Sequence, residues 1–425
     1  MAKKIISPVK GTRDFYPEQM AVRTWLYRQM RAASESFGYQ EYDGPFLEPI
    51  ALYAAKSGEE LVKEQAFVFP DRSGDLITLR PELTPTLARM VAQKQGQLVF
   101  PLRWWSFGPF WRYERPQKGR SREFFQWNID MIGVNSPEAD AELAAVGAEF
   151  FRRVGLGPDE VHILVNNRRL MDARLDALDI PAEQRKAVFR LIDRREKMSA
   201  SAWEAYAGEI GLSPAQLSGL KALLADEDLG QQSEELVRFF AAAEALGARE
   251  YLRYAPYIIR GLDYYTGTVF EARDCDGEFR AILGGGRYDN LVGDVGGNPL
   301  PGVGFAMGDM VVTLVLKKYG RLPQLSTQPA PILVTVFDAD HLLEAYRLAA
   351  EVRRAGFNVV TYPEPAKLGK QFKYADRIGA KVALVLGPDE LANGTVAVKD
   401  LRTRAQSTVI RKALIATLQR ELASS

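Results

Sequence analysis

The stretch that decides the fold spans residues 111–133 and reads WRYERPQKGRSREFFQWNIDMIG. Its first half carries five cations and two acids, and its second half begins with the aromatic pair Phe124 and Phe125. Pro116 and Gly119 are turn residues, since proline fixes φ and glycine permits a chain reversal. The stretch therefore predicts two antiparallel strands joined by a basic loop.

The side chains of this stretch suit a nucleotide and a small cationic group held side by side. Arginine binds phosphate bidentately, and an aromatic ring offers a flat face to a base. Gln126 and Asp130 are four residues apart, so in a strand they lie on one face, where they can hold an amine. An exposed cationic hairpin with its aromatic pair in the core is the alternative interpretation.

Length and composition indicate a globular protein of two or three domains. The 425 residues are 47% hydrophobic and 26% charged, and the net charge is +1, so a nucleic-acid surface must be a local patch. The single cysteine, Cys275, excludes an intramolecular disulfide, and two separated histidines do not predict a Cys/His metal site. No run approaches the roughly 18 apolar residues of a membrane span. With no signal peptide either, we expect a cytoplasmic protein without membrane contact.

The segments upstream predict an antiparallel sheet. A helix with apolar residues at helical spacing begins at Pro17. Two apolar runs, residues 66–69 and 76–79, flank a Ser-Gly turn and predict a hairpin. Further apolar strands at 102–107 and 110–113 lead into the basic loop. Because consecutive strands have no crossover helix between them, they indicate antiparallel pairing.

Four other segments are candidates for the same site, and the first three of them carry polar side chains. RPELT (80–84) places an acid and a hydroxyl just past a strand end, where they can face a pocket, although the threonine can also cap the next helix. RGLDYYTGTVFE (260–271) leads into a strand, and a strand at 279–283 precedes the glycine segment GGGRYD (284–289). Glycine triplets permit close backbone approach to a ligand. GVGFAMG (302–308) leads into a helix, and a helix N terminus entered through glycines is a potential phosphate site. As a sequence pattern this is weak evidence.

The rest of the chain comprises a helical insertion and a C-terminal domain. Residues 168–250 are almost wholly helical in pattern. The proline-rich residues 326–331 predict a linker. Strands and helices alternate over 332–425, ending in a helix at 407–422, which predicts a mostly parallel sheet. We expect an α+β domain, 1–325, built on an antiparallel sheet with a helical insertion, followed by an α/β domain.

Five segments, in this order, resemble the histidyl-tRNA synthetase family of class II aminoacyl-tRNA synthetases: GTRD at 11–14, RPELT, RYERPQKGR with FFQ, RGLDYYTGTVFE and GGGRYD. The resemblance covers nearly the whole chain, and RGLDYYTGTVFE is its most specific segment. It implies a homodimer with a class II catalytic domain and a C-terminal anticodon-binding domain. Such an enzyme activates L-histidine with ATP, accompanied by Mg²⁺, to histidyl-adenylate and transfers histidine to the 3′ end of tRNA(His).

The resemblance also implies a role for each polar segment. Arg112 and Arg260 would flank the α-phosphate as the catalytic arginines, since activation needs positioning and charge neutralisation rather than a protein nucleophile. The other expected ATP contacts are Glu114, Arg120 and Phe124, the last stacking on adenine. The α-amino group of histidine would be held by Glu82, Gln126 and Asp130, with Thr84 beside them. The imidazole pocket would comprise Tyr264, Tyr265 and Tyr288. The acceptor end of the tRNA would meet Arg115 and Gln117.

The chain departs from the family pattern in two places. The third class II signature usually carries an arginine a few residues after GFAMG, where it contacts adenine and the γ-phosphate. Here residues 308–313 read GDMVVT and contain none. The candidates to replace it are Arg120, Arg122 and Arg287. Phe125 stands where many relatives carry a histidine, and we expect its aromatic surface to serve instead.

Two other functions are compatible with the same segments. Proteins of this fold serve as non-catalytic, histidine-binding regulatory subunits of ATP phosphoribosyltransferase, and the missing arginine favours that interpretation slightly. The intact RGLDYYTG segment and the C-terminal domain argue against it, because a regulatory subunit needs no anticodon domain. A paralogue that binds RNA without aminoacylating it is the third possibility. The sequence favours the synthetase over both.

Overall fold

The computed structural model describes residues 5–54, 64–260, 265–290 and 292–423. The chain forms two compact units, Met1–Gln324 and Leu325–Ser425. The helices of the first unit are α1 (Pro17–Ser36), α2 (Ile50–Ala54), α3 (Thr84–Lys94), α4 (Pro137–Arg153), α5 (Arg168–Asp176), α6 (Ala182–Asp193), α7 (Ala200–Glu209), α8 (Pro214–Ala225), α9 (Glu234–Ala245) and α10 (Asp309–Lys318). Among the described residues no helix is long and apolar enough to cross a membrane.

The first unit is built on an eight-stranded sheet with the order β1-β5-β6-β11-β10-β9-β7-β8. Its strands, and those of a separate sheet ordered β2-β4-β3, are β1 (Gln40–Glu41), β2 (Leu47–Pro49), β3 (Phe67–Pro70), β4 (Leu76–Leu79), β5 (Leu102–Trp111), β6 (Glu123–Ile132), β7 (Val161–Asn167), β8 (Leu252–Tyr254), β9 (Thr268–Asp274), β10 (Leu283–Tyr288) and β11 (Gly302–Gly308). Pairing in the large sheet is antiparallel except for β1 with β5 and β7 with β8. The expected antiparallel sheet is confirmed.

Strands β5 and β6 form the predicted hairpin, with Trp111 opposite Glu123 and a basic loop (residues 112–122) between them. β5 is one strand where the sequence predicted two. Pro109 fits inside it because β1 pairs only with Trp104 and Trp105, which leaves β5 an edge strand at Pro109 that needs no N–H donor on that side.

The two faces of the sheet have opposite character. On β6, Trp127, Ile129 and Met131 belong to the main hydrophobic core together with residues of α4. Successive side chains of a strand point to opposite faces, so Gln126 and Asp130 lie on the face away from α4. Polar site residues and core residues therefore alternate along a single strand.

The glycine segment 284–286 is part of strand β10, not of a loop after a strand at 279–283 as the sequence predicted. Gly285 is paired with Phe305 on β11. A Cβ atom at Gly285 would lie 2.2 Å from the Gly304 carbonyl oxygen, so only glycine permits this pairing. The glycines bring two central strands together and leave the sheet surface clear.

The predicted helical insertion is present as α5 to α9. In the second unit the helices are α11 (Leu342–Arg354), α12 (Leu368–Arg377), α13 (Pro388–Asn393) and α14 (Leu414–Ala423). The strands are β12 (Ile332–Val334), β13 (Val359–Thr361), β14 (Val382–Val385), β15 (Thr395–Asp400) and β16 (Gln406–Ile410), in the order β13-β12-β14-β15-β16.

The sequence assigned residues 407–422 to a helix, which is wrong over the first part. Residues 406–410 form β16, which pairs antiparallel with β15. Their sequence, QSTVI, ends in three β-branched residues that favour a strand. The sheet is therefore mixed, because only β12, β13 and β14 run parallel.

A buried ion pair ties β10 to α4. Arg287 donates from Nη2 to Asp140 Oδ1 at 2.5 Å and from Nε to Asp140 Oδ2 at 3.1 Å, and both side chains are 2% exposed. The arginine also donates to the carbonyl oxygens of Val134 and Ser136. The buried charges of Arg287 and Asp140 are thus paired on the core face of the sheet.

Arg287→Met should therefore lower the free energy of unfolding of the first unit by about 3–5 kcal/mol, because it leaves a buried carboxylate without its partner. The double variant Arg287→Met/Asp140→Leu should recover most of that loss. Guanidinium chloride denaturation followed by tryptophan fluorescence would measure both. A loss below about 1 kcal/mol for the single variant would contradict a structural role.

Candidate active site

Arg260 is held over the glycines of β10 by a carboxylate on β9. Its Nη1 lies 2.5 Å from Glu271 Oε2, and the other oxygen of Glu271 accepts from Arg273 Nε at 2.6 Å. Glu271 is opposite Gly284 in the sheet, and a Cβ atom at Gly284 would meet the Arg260 guanidinium carbon at 2.2 Å. Arg260 therefore occupies the space that a side chain at position 284 would fill.

Electrostatics and backbone geometry both fix this arginine. Burial alone would raise the pKa of the Glu271 carboxyl, but the charges of Arg260 and Arg273 outweigh burial and hold that pKa below its ordinary value. Arg260 adopts a φ of +61°, which is uncommon for a residue other than glycine. Arg168 donates to the Arg260 carbonyl oxygen at 2.8 Å and anchors this conformation. Strain at a fixed arginine is typical of a functional site.

The basic loop supplies the second arginine. Arg112 Nε donates to the Pro81 carbonyl oxygen at 2.9 Å, which ties the loop to the RPELT segment. Its guanidinium carbon lies 5.5 Å from the centroid of the Phe124 ring. Phe124 itself is half-buried and stacks on Phe110 with centroids 6.0 Å apart. Arg112 and Phe124 thus lie together, as a site for phosphate and base requires.

Further along the basic loop, Glu114 and Arg120 form an ion pair. Gln117 and Arg120 exchange backbone hydrogen bonds, which closes the turn. The side chains of Arg115 and Gln117 are exposed, so they are accessible to a large partner.

A buried carboxyl forms the floor of the site on β6. Asp130 is 5% exposed and accepts a hydrogen bond from the Tyr288 hydroxyl at 2.8 Å. Burial raises the pKa of Asp130 to about 7, although the bond from Tyr288 acts in the opposite direction. Gly304 faces this carboxyl, and a Cβ atom there would lie 2.0 Å from Asp130 Oδ1. Glycine is required at this position because the carboxyl occupies the space.

The other expected histidine contacts lie on neighbouring elements. Glu82 is 7% exposed, and its carbonyl oxygen accepts from the Tyr53 hydroxyl at 3.3 Å. Thr84 begins α3 but makes no side-chain cap, so the capping alternative is wrong. Tyr265, 7% exposed, packs in an apolar cluster beside the glycines of β10. Tyr264 lies outside the described residues.

Sequence patterning missed two polar residues of this site. Asn128 is 5% exposed and lies between Gln126 and Asp130 on the same face of β6. The period of two that linked its neighbours could have found it. Glu271 could not be found in this way, because its role depends on the contact with Arg260.

Comparisons with known proteins identify the family of this chain. A family model described as histidyl-tRNA synthetase matches residues 11–310, and one described as an anticodon binding domain matches residues 330–421. A histidine–tRNA ligase of Opitutus terrae is 39% identical over 419 residues, which cover 95% of this chain and 95% of the relative. The chain belongs to the histidyl-tRNA synthetase family.

The similarity to solved structures covers most of the chain. Histidyl-tRNA synthetase from Nostoc sp. PCC 7120 matches with a TM-score of 0.81 and 26% identity, covering 98% of this chain and 100% of that one. A Bacillus halodurans protein described as an ATP phosphoribosyltransferase regulatory subunit/histidyl-tRNA synthetase has a TM-score of 0.72, 22% identity, and coverage of 88% and 97%. At that identity the second match shows the fold alone.

Arg287 is excluded as a replacement for the arginine that histidyl-tRNA synthetases carry in the third signature. It lies on the α4 face of the sheet, where Asp140 pairs with it. Gly284, Gly286 and Tyr288 alternate with it and face the site. Arg122 lies with its guanidinium carbon 3.9 Å from the centroid of the Tyr113 ring, at the base of the basic loop.

The N terminus of α10 is also not a phosphate site. Asp309 occupies the first turn, is 5% exposed, and accepts from Arg13 Nη2 at 2.8 Å and from the Phe125 N–H at 3.1 Å. A carboxylate in this place already interacts favourably with the helix dipole and repels an anion. Phe125 is anchored by this bond, and its ring faces Arg23 at 4.3 Å.

Proposed function

We propose that this chain activates L-histidine with ATP and transfers it to the 3′ end of tRNA(His). The observation that carries the proposal is the pair of arginines that frame the clear face of the sheet. Arg260 is fixed over Gly284 by Glu271, and Arg112 is fixed against Phe124 and Pro81. Two preset cations facing a glycine-lined surface suit a phosphate that gains charge during reaction.

Activation is a displacement at the α-phosphorus. A carboxylate oxygen of histidine forms a bond to the α-phosphorus, and the bond from that phosphorus to the bridging oxygen of pyrophosphate breaks. Histidyl-adenylate and pyrophosphate result, so no protein nucleophile is needed. Arg112 and Arg260 stabilise the charge that develops on the α-phosphoryl oxygens. The 2′- or 3′-hydroxyl of the terminal ribose then attacks the acyl carbon and releases AMP.

Selection of histidine depends on Asp130 and Tyr288. Tyr288 donates to Asp130, so we assign this carboxyl to the imidazole end of the pocket, together with Tyr265 and Tyr264. Gln126, Glu82 and Thr84 remain for the α-amino end. A carboxyl with a pKa of about 7 can share one proton with an imidazole, whose pKa is also near neutrality. An analogue without a ring nitrogen leaves this buried carboxyl unpaired and is rejected.

ATP would enter with Mg²⁺ bound to its phosphates. In the described part of the chain, no cluster of three or more His, Cys, Asp or Glu side chains is arranged to hold a metal. Glu114 and Glu271 are the acids nearest the arginines, and both are already paired. Phosphate oxygens and water would supply most of the ligands of a bound Mg²⁺, as is common for this ion.

The remaining partners follow from the two domains. We assign the second unit to the anticodon of tRNA(His), and Arg115 and Gln117 to its acceptor end. We place the enzyme in the cytoplasm. A regulatory subunit of ATP phosphoribosyltransferase is less well supported, because a protein that is 39% identical over 95% of this chain is a histidine–tRNA ligase.

Histidine-dependent ATP–pyrophosphate exchange, followed by charging of tRNA(His), tests the function. Arg260→Ala should lower the exchange rate by about 10²–10³-fold, because one donor to the developing charge is lost. The Kd for histidine, measured by titration calorimetry, should be unchanged. Arg253→Ala, at an exposed arginine of β8, is the matched control and should exchange normally. Absence of exchange in the wild type would contradict the enzyme function, and equal losses of exchange and histidine binding would contradict the role of Arg260.

A pH profile of histidine affinity tests the role of Asp130. The complex holds one shared proton, so affinity falls below pH 6.5, where free imidazole and carboxyl are both protonated, and above about pH 7, where neither is. Tyr288, Tyr42 and Tyr39 are the other titratable groups near this carboxyl, and burial raises the pKa of Tyr42 and Tyr39 well above the ordinary value, so they stay neutral.

Asp130→Asn should therefore keep the acidic limb and lose the alkaline one. Its amide accepts from or donates to neutral imidazole and has no proton to lose. Calorimetry between about pH 5.5 and 8.5 would show an affinity that levels off above the imidazole pKa of about 6.5. An alkaline limb that persists in the variant would show that another group titrates.

We also propose that the chain forms a homodimer through the small sheet β2-β4-β3. This sheet leaves apolar side chains exposed: Leu47 at 47%, Val68 at 38%, Phe69 at 40% and Leu76 at 53%. Leu47 and Phe69 lie on one face of this sheet and Val68 and Leu76 on the other, so apolar side chains are exposed on both faces. Exposed apolar residues grouped on one small sheet mark an interaction site. Sedimentation equilibrium should give twice the 47.5 kDa chain mass for the wild type and the chain mass for Leu76→Asp. Val237→Asp, at an exposed apolar residue of α9, should remain dimeric, and a dimeric Leu76→Asp would contradict this interface.

A further inference from the structure

An apolar residue, Val311, stands where the third class II signature usually carries its arginine. Val311, in the first turn of α10, is 8% exposed and packs in the main core. A side chain at Gly119 in the basic loop would begin 3.5 Å from the Val311 Cγ2 atom. The tip of the basic loop therefore lies against α10 where the family carries a cation, and the cation must come from elsewhere.

The connection between β9 and β10 lies against the other side of the basic loop. The N–H groups of Glu278 and Phe279 each donate to the buried Asp274 carboxylate at 3.0 Å. Lys118 of the basic loop reaches both residues, with its Nζ 3.2 Å from Glu278 Oε1 and 4.8 Å from the centroid of the Phe279 ring. Arg280 is the next residue, so its backbone lies close to the basic loop.

The charged groups that act on Arg280 are those of the ATP site. Burial lowers the pKa of Arg280, the charges of Arg120 and Arg112 lower it further, and Glu114 and Glu271 oppose them only in part. Both carboxylates are already committed, Glu114 to Arg120 and Glu271 to Arg260. Arg280 is only partly exposed, and it has no hydrogen bond or ion pair with any residue in the described ranges. Positive charge thus exceeds negative charge around Arg280, beside the glycine-lined face of the sheet.

We propose that Arg280 binds the outer phosphates of ATP and supplies the cation that the first turn of α10 lacks. This inference rests on the proposed function. Arg112 and Arg260 flank the α-phosphate, so Arg280 and Arg120, beside the basic loop, are left for the β- and γ-phosphates. A guanidinium without a protein partner is free to bind phosphate bidentately.

Titration calorimetry of the full-length chain with MgATP and with AMP tests this assignment. Arg280→Ala should raise the Kd for MgATP by about 10-fold or more, because a charge-assisted hydrogen bond is lost. The Kd for AMP should be unchanged, because AMP has no outer phosphates. Arg280→Lys should keep part of the affinity as a point charge. Arg190→Ala, at an exposed arginine of α6, is the matched control and should bind both nucleotides as the wild type does.

Equal MgATP affinity in Arg280→Ala and the wild type would overturn the inference. An equal loss of MgATP and AMP affinity would also overturn it, since Arg280 would then act at the α-phosphate or through the fold. A melting temperature within about 2 °C of the wild type excludes a folding defect. A wild type that binds MgATP through Arg280 but exchanges no pyrophosphate would contradict the proposed function and leave this inference standing.

Discussion

A single buried carboxylate, shared by two arginines, is the interaction on which the site depends. Glu271 holds Arg260 over Gly284 and also binds Arg273, whose other partner is Glu196 beside α6. The Glu271 carboxylate thus links three parts of the first unit: strand β9, the RGLDYYTG segment through Arg260, and the helical insertion through Arg273 and Glu196. Because two cations surround it, the carboxylate stays ionised despite burial, and Arg260 is positioned before any ligand arrives.

The alternation of side chains along the central strands divides structure from function. On β10, Gly284, Gly286 and Tyr288 face the site, whereas Arg287 crosses to the α4 side and pairs with Asp140. The same division on β6 separates core residues from polar ones. Glycines on two neighbouring strands remove side chains from the site face, and the cleared space is taken by the charged ends of Arg260 and Asp130. The sheet therefore supplies both the floor of the pocket and the rigidity that positions its polar groups.

Local patterns predicted the antiparallel sheet, the basic hairpin and the helical insertion, because each depends on periodicity or turn chemistry within a short segment. They failed where a distant contact decides. The glycines of β10 looked like a loop because nothing in the sequence shows that β11 approaches within van der Waals contact. Arg287 looked available for ATP because Asp140 is 147 residues away. Residues 407–410 were predicted to be helical because β15, their partner, could not be inferred from them. Among the site residues, Gln126 and Asp130 were predicted to share a face, but the bond from Tyr288 to Asp130 was not.

The central claim is that two preset arginines receive the α-phosphate on the glycine-lined face of the sheet. A crystal structure of the chain with histidine and a non-hydrolysable ATP analogue tests it most directly. The account predicts that oxygens of the α-phosphate lie about 3 Å from the guanidinium groups of both Arg112 and Arg260, with an imidazole nitrogen at the same distance from Asp130. An α-phosphate that contacts neither arginine, or a histidine bound away from Asp130, would contradict it.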